Sequence, residues 1–187
     1  MNEKAALRKA IRRAHGGAQM RAAESESICR HIIASRWYRD AQVVAGYVPL
    51  KWEADVTPVM RHALQAGKTL ALPLCGEAPH MTLRRVTSLD ELRPGAYGIP
   101  EPPEEAEIIP PKAVQLLLIP LEGVAPDGTR LGKGGGYYDC LLARCGAFAL
   151  GCALTWQRVA HIPREPWDKP LHACADADGV YAFINQE

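Results

Sequence analysis

The chain has 187 residues and 20.4 kDa, 48% hydrophobic and 23% charged, which suits one domain whose core needs neither disulfide nor metal. Twenty-two Lys and Arg against twenty-one Asp and Glu leave a formal charge of +1, and aromatic residues make up only 6%, so neither a dedicated nucleic-acid binder nor a stacking platform for single strands is expected. No apolar run approaches the ~20 residues of a membrane span; the longest, Val114 to Leu121, is strand-sized and broken by Gln115 and Pro120.

The first predicted element is a helix from Glu3 to His15. Ala6, Leu7, Ala10, Ile11 and Ala14 follow helical spacing, Lys4, Arg8 and Arg12 share another face, and Gly16-Gly17 stops it. The segment lacks the apolar stretch of a secretory signal and reads as folded helix rather than transit peptide. A second helix is expected over Arg21–Trp37 on an Ile28, Ile32, Ile33 stripe. Gln42–Val48 reads as a short buried strand, and Pro49–Asp55 as a loop. A helix is expected over Thr57–Gln65, with Pro58 in its first turn and Gly67 as its stop. Lys68–Leu74 is the next strand and Met81–Val86 a weaker one.

Pro94–Pro111, dense in Pro, Gly and Glu, reads as a loop. Val114–Ile119 is the most apolar strand candidate, and Glu122–Gly136 a Gly-rich loop. A helix over Tyr137–Arg144 and strands over Ala147–Leu154 and Val180–Ile184 complete the chain. Helices alternating with apolar strands predict a single α/β domain over 1–187, with helices flanking a mostly parallel central sheet in three layers. Sites in such sheets lie beyond the carboxyl ends of strands, here after Val48, Leu74 and Ile119. The six cysteines (29, 75, 140, 145, 152 and 174) form no CxxC and are expected to be buried thiols in a reducing cytoplasm.

The loop after Ile119 ends in Arg130-Leu131-Gly132-Lys133-Gly134-Gly135-Gly136-Tyr137-Tyr138-Asp139. Its glycines let main-chain N–H groups approach a ligand with no Cβ in the way, and Arg130 and Lys133 add full positive charges. The run opens a helix whose N-terminus favours anions. These are the properties of a polyphosphate cradle, although the spacing is neither that of a Walker A loop nor GxGxxG.

This segment, preceded by Leu116-Leu117-Leu118-Ile119-Pro120, resembles the signature of the 5-formyltetrahydrofolate cyclo-ligase family, an apolar strand and proline followed by R-L-G-x-G-x-G-Y-Y-D. Lys4 and Arg8 match an early K-x-x-x-R; Glu53 to Pro58, Gly67-Lys68, Pro73 and Tyr97 to Pro102 match later stretches; Gln157 and Trp167-Asp168 match a glutamine and an aspartate near the end. The chain departs from the pattern at Val124-Ala125, where Phe-Asp is usual, and at Val56, Gln115 and Cys140.

The resemblance implies an ATP-dependent ligase that cyclises 5-formyltetrahydrofolate to 5,10-methenyltetrahydrofolate with release of ADP and phosphate. On that reading Lys4, Arg8 and Arg130 through Tyr138 bind ATP, and Arg130 and Lys133 stabilise the transferring phosphoryl group. Val48, Trp52, Glu53 and Tyr137 meet the folate. Asp139 and Asp168 hold Mg²⁺, with Asp139 as a helix brace the competing role. The expected partners are these small molecules alone, with no nucleic acid and no membrane, and the protein is expected to be a cytoplasmic monomer. Two other functions fit the same cradle: a paralogue acting on a different substrate, which Val124-Ala125 motivates, and a non-catalytic binder of phosphorylated ligands.

Overall fold

A computed structural model describes residues 3–183 of the chain. In chain order the elements are α1 (Glu3–Arg13), α2 (Gly17–Ala34), α3 (Arg36–Asp40), β1 (Val43–Ala45), α4 (Thr57–Gln65), β2 (Thr69–Cys75) and β3 (Met81–Val86). There follow β4 (Arg93–Pro94), β5 (Pro100–Glu101), β6 (Ile108–Ile109), β7 (Leu116–Ile119), β8 (Gly123–Val124), β9 (Arg130–Leu131), α5 (Tyr137–Leu142), β10 (Phe148–Cys152), β11 (Ala173–Ala175) and β12 (Val180–Ala182). Eight strands form one sheet in the order β12-β11-β10-β7-β1-β2-β3-β6. The five from β11 to β2 run parallel, and β12, β3 and β6 join antiparallel at the edges. The protein is thus α/β with a mostly parallel central sheet flanked by helices.

The period-2 geometry of β7 explains how one apolar run serves two faces. Leu116 and Leu118 join Ile28, Ile32, Val44, Val59 and Leu150 beneath α2, α3 and α4. Leu117 and Ile119 join Ala45, Ala71, Ala149 and Leu141 on the face covered by α5 and by irregular chain. After β1 the chain adds β2 on one side, then returns to place β7 on the other. The strand order therefore reverses between β1 and β7, and a crevice opens beyond their carboxyl ends.

The structure corrects several expected boundaries. The second helix begins at Gly17 and stops at Ser35, whose extended backbone and side-chain bond to the Tyr38 amide (3.3 Å) start the separate α3. β1 keeps only Val43–Ala45 of the expected Gln42–Val48, because the chain lifts away after Gly46 toward the crevice; Tyr47 is buried there with its hydroxyl donating to Ala54 O (2.9 Å). The expected Tyr137–Arg144 helix ends at Leu142, and the expected Lys68–Leu74 and Ala147–Leu154 strands are Thr69–Cys75 and Phe148–Cys152.

Residues 94–111 are not all loop: they carry β5, β6 and the end of β4. The Gly-rich loop contains a small hairpin, β8 paired with β9. β11 was not expected, since Ala173-Cys174-Ala175 has none of the β-branched or aromatic residues that mark a strand. Val180–Ala182 pairs antiparallel with β11, while Ile184 of the expected strand lies outside the described residues. All six cysteines are free, but only Cys29, Cys152 and Cys174 are buried; Cys75, Cys140 and Cys145 are half-buried. No helix among the described residues is long and apolar enough to cross a membrane.

Candidate active site

A cleft of about 830 Å³ opens beyond β1, β2 and β7, in the upper part of the range for small-molecule sites. Every residue to which the sequence reading gave a binding, catalytic or metal role lines it: Lys4 and Arg8 from α1; Val48, Trp52 and Glu53 after β1; Arg130 through Asp139; and Asp168. Tyr47, Cys75, Met81, Glu122 and Glu165, to which the sequence reading gave no part in the site, line it too, as do Tyr97 and Glu101, which it noted only within the Tyr97–Pro102 family match.

The cradle is built on β9. β8 and β9 pair through Gly123–Leu131 and Val124–Arg130, and the Asp127 carboxylate accepts from the Thr129 amide and hydroxyl (both 2.9 Å) to close the turn. Val124 and Ala125, where the usual Phe-Asp is lost, are held by main chain. Val124 O accepts from Val159 N (3.0 Å), and Ala125 N donates to Thr129 O (3.0 Å). Ala125 also packs with Ile11, Leu131 and Ile162. Gly134 (φ 100°) and Gly136 (φ 70°) take the left-handed conformation, which a side chain would strain. The helix they lead into spans six residues, so the cradle rests on loop amides more than on a helix dipole.

Charged side chains fix this loop from three directions. Arg130 is a 5% exposed side chain whose NH2 donates to Asp139 Oδ1 (3.0 Å), with its guanidinium 5.7 Å from the Tyr138 ring centre. Arg8 Nε donates to Gly132 O (2.7 Å). Lys4 Nζ pairs with Asp168 Oδ2 (2.6 Å). Lys133 Nζ lies 2.9 Å from Glu53 Oε1 and 5.9 Å from the Trp52 ring centre. Glu53, 2% exposed, also accepts the Leu50 amide at Oε2 (2.9 Å). The geometry thus joins Lys133 and Glu53, which the sequence reading assigned to different ligands.

The far wall hangs on Glu101, a 7% exposed carboxylate that accepts from Cys75 N and Ala96 N (both 3.1 Å) and so ties β2 to the 94–101 segment. Its signal in the sequence was its place in the Tyr97–Pro102 stretch that matches the family, with no role assigned to it. Tyr97, at φ 56°, lies with its hydroxyl 3.0 Å from that of Tyr137. That contact pushes the Tyr137 phenol up to about 12. Burial raises the Tyr138 phenol, with nearby Glu53 adding to it. Burial, then Glu101, pushes the Cys75 thiol up to about 12. These groups stay neutral at physiological pH and offer no nucleophile.

Two buried donors on cleft residues, Trp52 Nε1 and Arg130 Nε, have no hydrogen-bond partner among the described residues. Unmet donors beside mobile acceptor-rich groups such as phosphate are readily satisfied by them. No cluster of three or more His, Cys, Asp or Glu able to hold a metal occurs among the described residues. Asp139 uses Oδ1 for both Arg130 and Lys169 N, and Asp168 uses Oδ2 for both Lys4 and Glu165 N. Each carboxylate therefore keeps one oxygen without a hydrogen bond among the described residues, which fits a hard cation that takes one or two protein oxygens.

A cationic Gly-rich loop at the switch point of a parallel sheet, facing an apolar wall with one buried carboxylate, is the arrangement of an enzyme for phosphorylated substrates. The sequence profile of the 5-formyltetrahydrofolate cyclo-ligase family matches residues 1–175, and the chain belongs to that family. It is 27% identical to the 5-formyltetrahydrofolate cyclo-ligase of Mus musculus over 68% of this chain and 66% of that protein. It is 30% identical to that of Saccharomyces cerevisiae over 84% of this chain and 86% of that one. The structure of Aquifex aeolicus 5,10-methenyltetrahydrofolate synthetase superposes with a TM-score of 0.84 at 32% identity, covering 98% of this chain and 94% of that one.

Proposed function

We propose that the chain is a cytoplasmic, monomeric ligase that cyclises 5-formyltetrahydrofolate to 5,10-methenyltetrahydrofolate with cleavage of ATP, acting on these small molecules alone. The observation that carries the reading is the meeting, in one cleft, of the cradle Arg130–Asp139 and the Lys4–Arg8 face with the Val48–Glu53 wall. Free thiols at all six cysteines suit the reducing compartment.

The formyl oxygen must become a leaving group before N10 can close the ring. It attacks the γ-phosphorus, the bond to the bridging oxygen breaks, and ADP departs. N10 then attacks the resulting iminium carbon, and phosphate leaves as N10 loses its proton. Little covalent chemistry falls to the protein, whose work is positioning and charge neutralisation. Lys4, Arg8 and the 130–138 loop hold the triphosphate, and Arg130 and Lys133 face its developing charge. Glu53 meets the pterin edge, with Val48, Trp52 and Tyr137 as walls. Its ion pair to Lys133 would bring the folate and the phosphoryl group to the same point. Asp139 and Asp168 would hold Mg²⁺ through their spare oxygens, and the ion offsets charge on the β- and γ-phosphates when bound.

The test is spectroscopic. Methenyltetrahydrofolate absorbs in the near ultraviolet, and its band is expected to appear from 5-formyltetrahydrofolate only when ATP is present. ATP binding with no such band would overturn the folate assignment and favour the paralogue or the non-catalytic binder.

A further inference from the structure

The loop after β1 is held by side chains to which the mechanism gives no part. Gln157, in the short 3-10 turn Thr155–Gln157, is 2% exposed. Its carboxamide is occupied entirely by main chain: Nε2 donates to Leu121 O (2.7 Å) and Trp52 O (3.3 Å), and Oε1 accepts from Leu154 N (2.8 Å). Leu121 follows β7 and Trp52 follows β1, so one side chain spans the crevice where the strand order reverses. From α2, Arg21 reaches the same loop, its Nε donating to Glu53 O (2.7 Å) and its NH2 to Leu50 O (3.2 Å). The carbonyls of Leu50, Trp52 and Glu53 are all taken by side chains from outside the loop.

A surface loop usually leaves such carbonyls to water. Satisfying them with a buried amide and a guanidinium costs desolvation and side-chain freedom, and what the fold gains is a fixed position. That position matters on both sides. Trp52 and Glu53 wall the cleft, while Leu121 runs through Glu122 into β8, whose partner β9 begins with Arg130. Gripping Trp52 O and Leu121 O with one amide sets the spacing between wall and cradle.

We propose that Gln157 and Arg21 are positioning residues, two jaws of one clamp that holds the Leu50–Glu53 loop at a fixed distance from the phosphate cradle. The kinetic part of this inference rests on the folate reading above: the clamp keeps the formyl oxygen in register with the γ-phosphate.

Two variants test it. Gln157→Met keeps the volume and removes all three hydrogen bonds. Arg21→Lys keeps the charge, loses the fork and lies at a half-buried position of α2. Each is expected to lower kcat by about tenfold to a hundredfold, the effect of a small misplacement of reacting groups. The ATP KM is expected to stay within about twofold. Since either change frees the same loop, the double variant is expected to lose no more than the worse single. Hydrogen exchange on the same unliganded proteins is expected to quicken within residues 48–56 and not in β1, β7 or β10. Wild-type kcat in both variants below their melting temperatures overturns the clamp, as does a multiplicative loss in the double variant or exchange that quickens throughout. If the wild-type protein makes no methenyl product, the folate reading falls instead, and the exchange pattern alone upholds or overturns the clamp.

Discussion

α1 and α4 are both amphipathic helices in the sequence, yet they are held in opposite ways. α4 buries Val59, Met60 and Ala63 within nine residues, and Met60 packs with Leu70, Leu72 and Val86. α1 has eleven residues and buries only Ile11. Besides Ile11 and Leu7, which pack with Ala125, Leu131 and Ile162, it is held by a row of cations four residues apart on one face: Lys4 on Asp168, Arg8 on Gly132 O, and Arg12 on both oxygens of the buried Glu122. An isolated helix of that length is marginal in water, so these tethers decide where it sits. α4 belongs to the architecture. α1 belongs to the site, because the groups that dock it are groups that line the cleft.

Substitutions should separate the two. Met60→Ala is expected to cost about 2–5 kcal/mol of stability, the usual range for such a core truncation, with ATP affinity unchanged; denaturant unfolding and calorimetric titration together check it. Arg130→Ala should weaken ATP binding by roughly 1.5–3 kcal/mol, the range for a hydrogen bond to a charged group. Wild-type affinity there would detach the cradle from the nucleotide. Asp139→Asn should raise the Mg²⁺ concentration for half-maximal rate by about tenfold, or ~1.4 kcal/mol, with little change in melting temperature. Lost stability with an unchanged Mg²⁺ requirement would make Asp139 only the brace of Arg130. Arg8→Ala is expected to cost only about 0.5–1.5 kcal/mol of stability, with faster hydrogen exchange confined to α1. A stability loss as large as that of Met60→Ala would erase the distinction between the two helices.

What the sequence made legible follows the same divide. Thr57–Gln65 was bounded correctly, since its proline and glycine punctuate a clear apolar stripe. Leu116–Ile119 was found inside a longer expected strand. β11 was missed because pairing with β10, not propensity, makes Ala173–Ala175 a strand. In the site, the residues carried by a local motif were all named, and they line one cleft. Arg21 and Glu122 were not: neither carries a local signature, because Arg21 reaches the carbonyls of Leu50 and Glu53 and Glu122 reaches the Arg12 guanidinium, partners brought near only by the fold. Gln157 was noticed as a family match, but its reach to Trp52 O and Leu121 O is a property of two loops distant in sequence.

The docking of α1 also constrains the order in which the protein can be finished. Its three tethers join residues 164, 124 and 110 positions apart in the chain. During synthesis α1 therefore meets Glu122 only after about 110 further residues have been made, Gly132 after about 124 and Asp168 after about 164. Until then these three contacts cannot form, while the sheet that will carry the cradle can already assemble around β1 and β2. Closing the cleft is thus a late event in the life of each new molecule. A chain cut short before Asp168 would keep most of its central sheet and still lack a completed binding site.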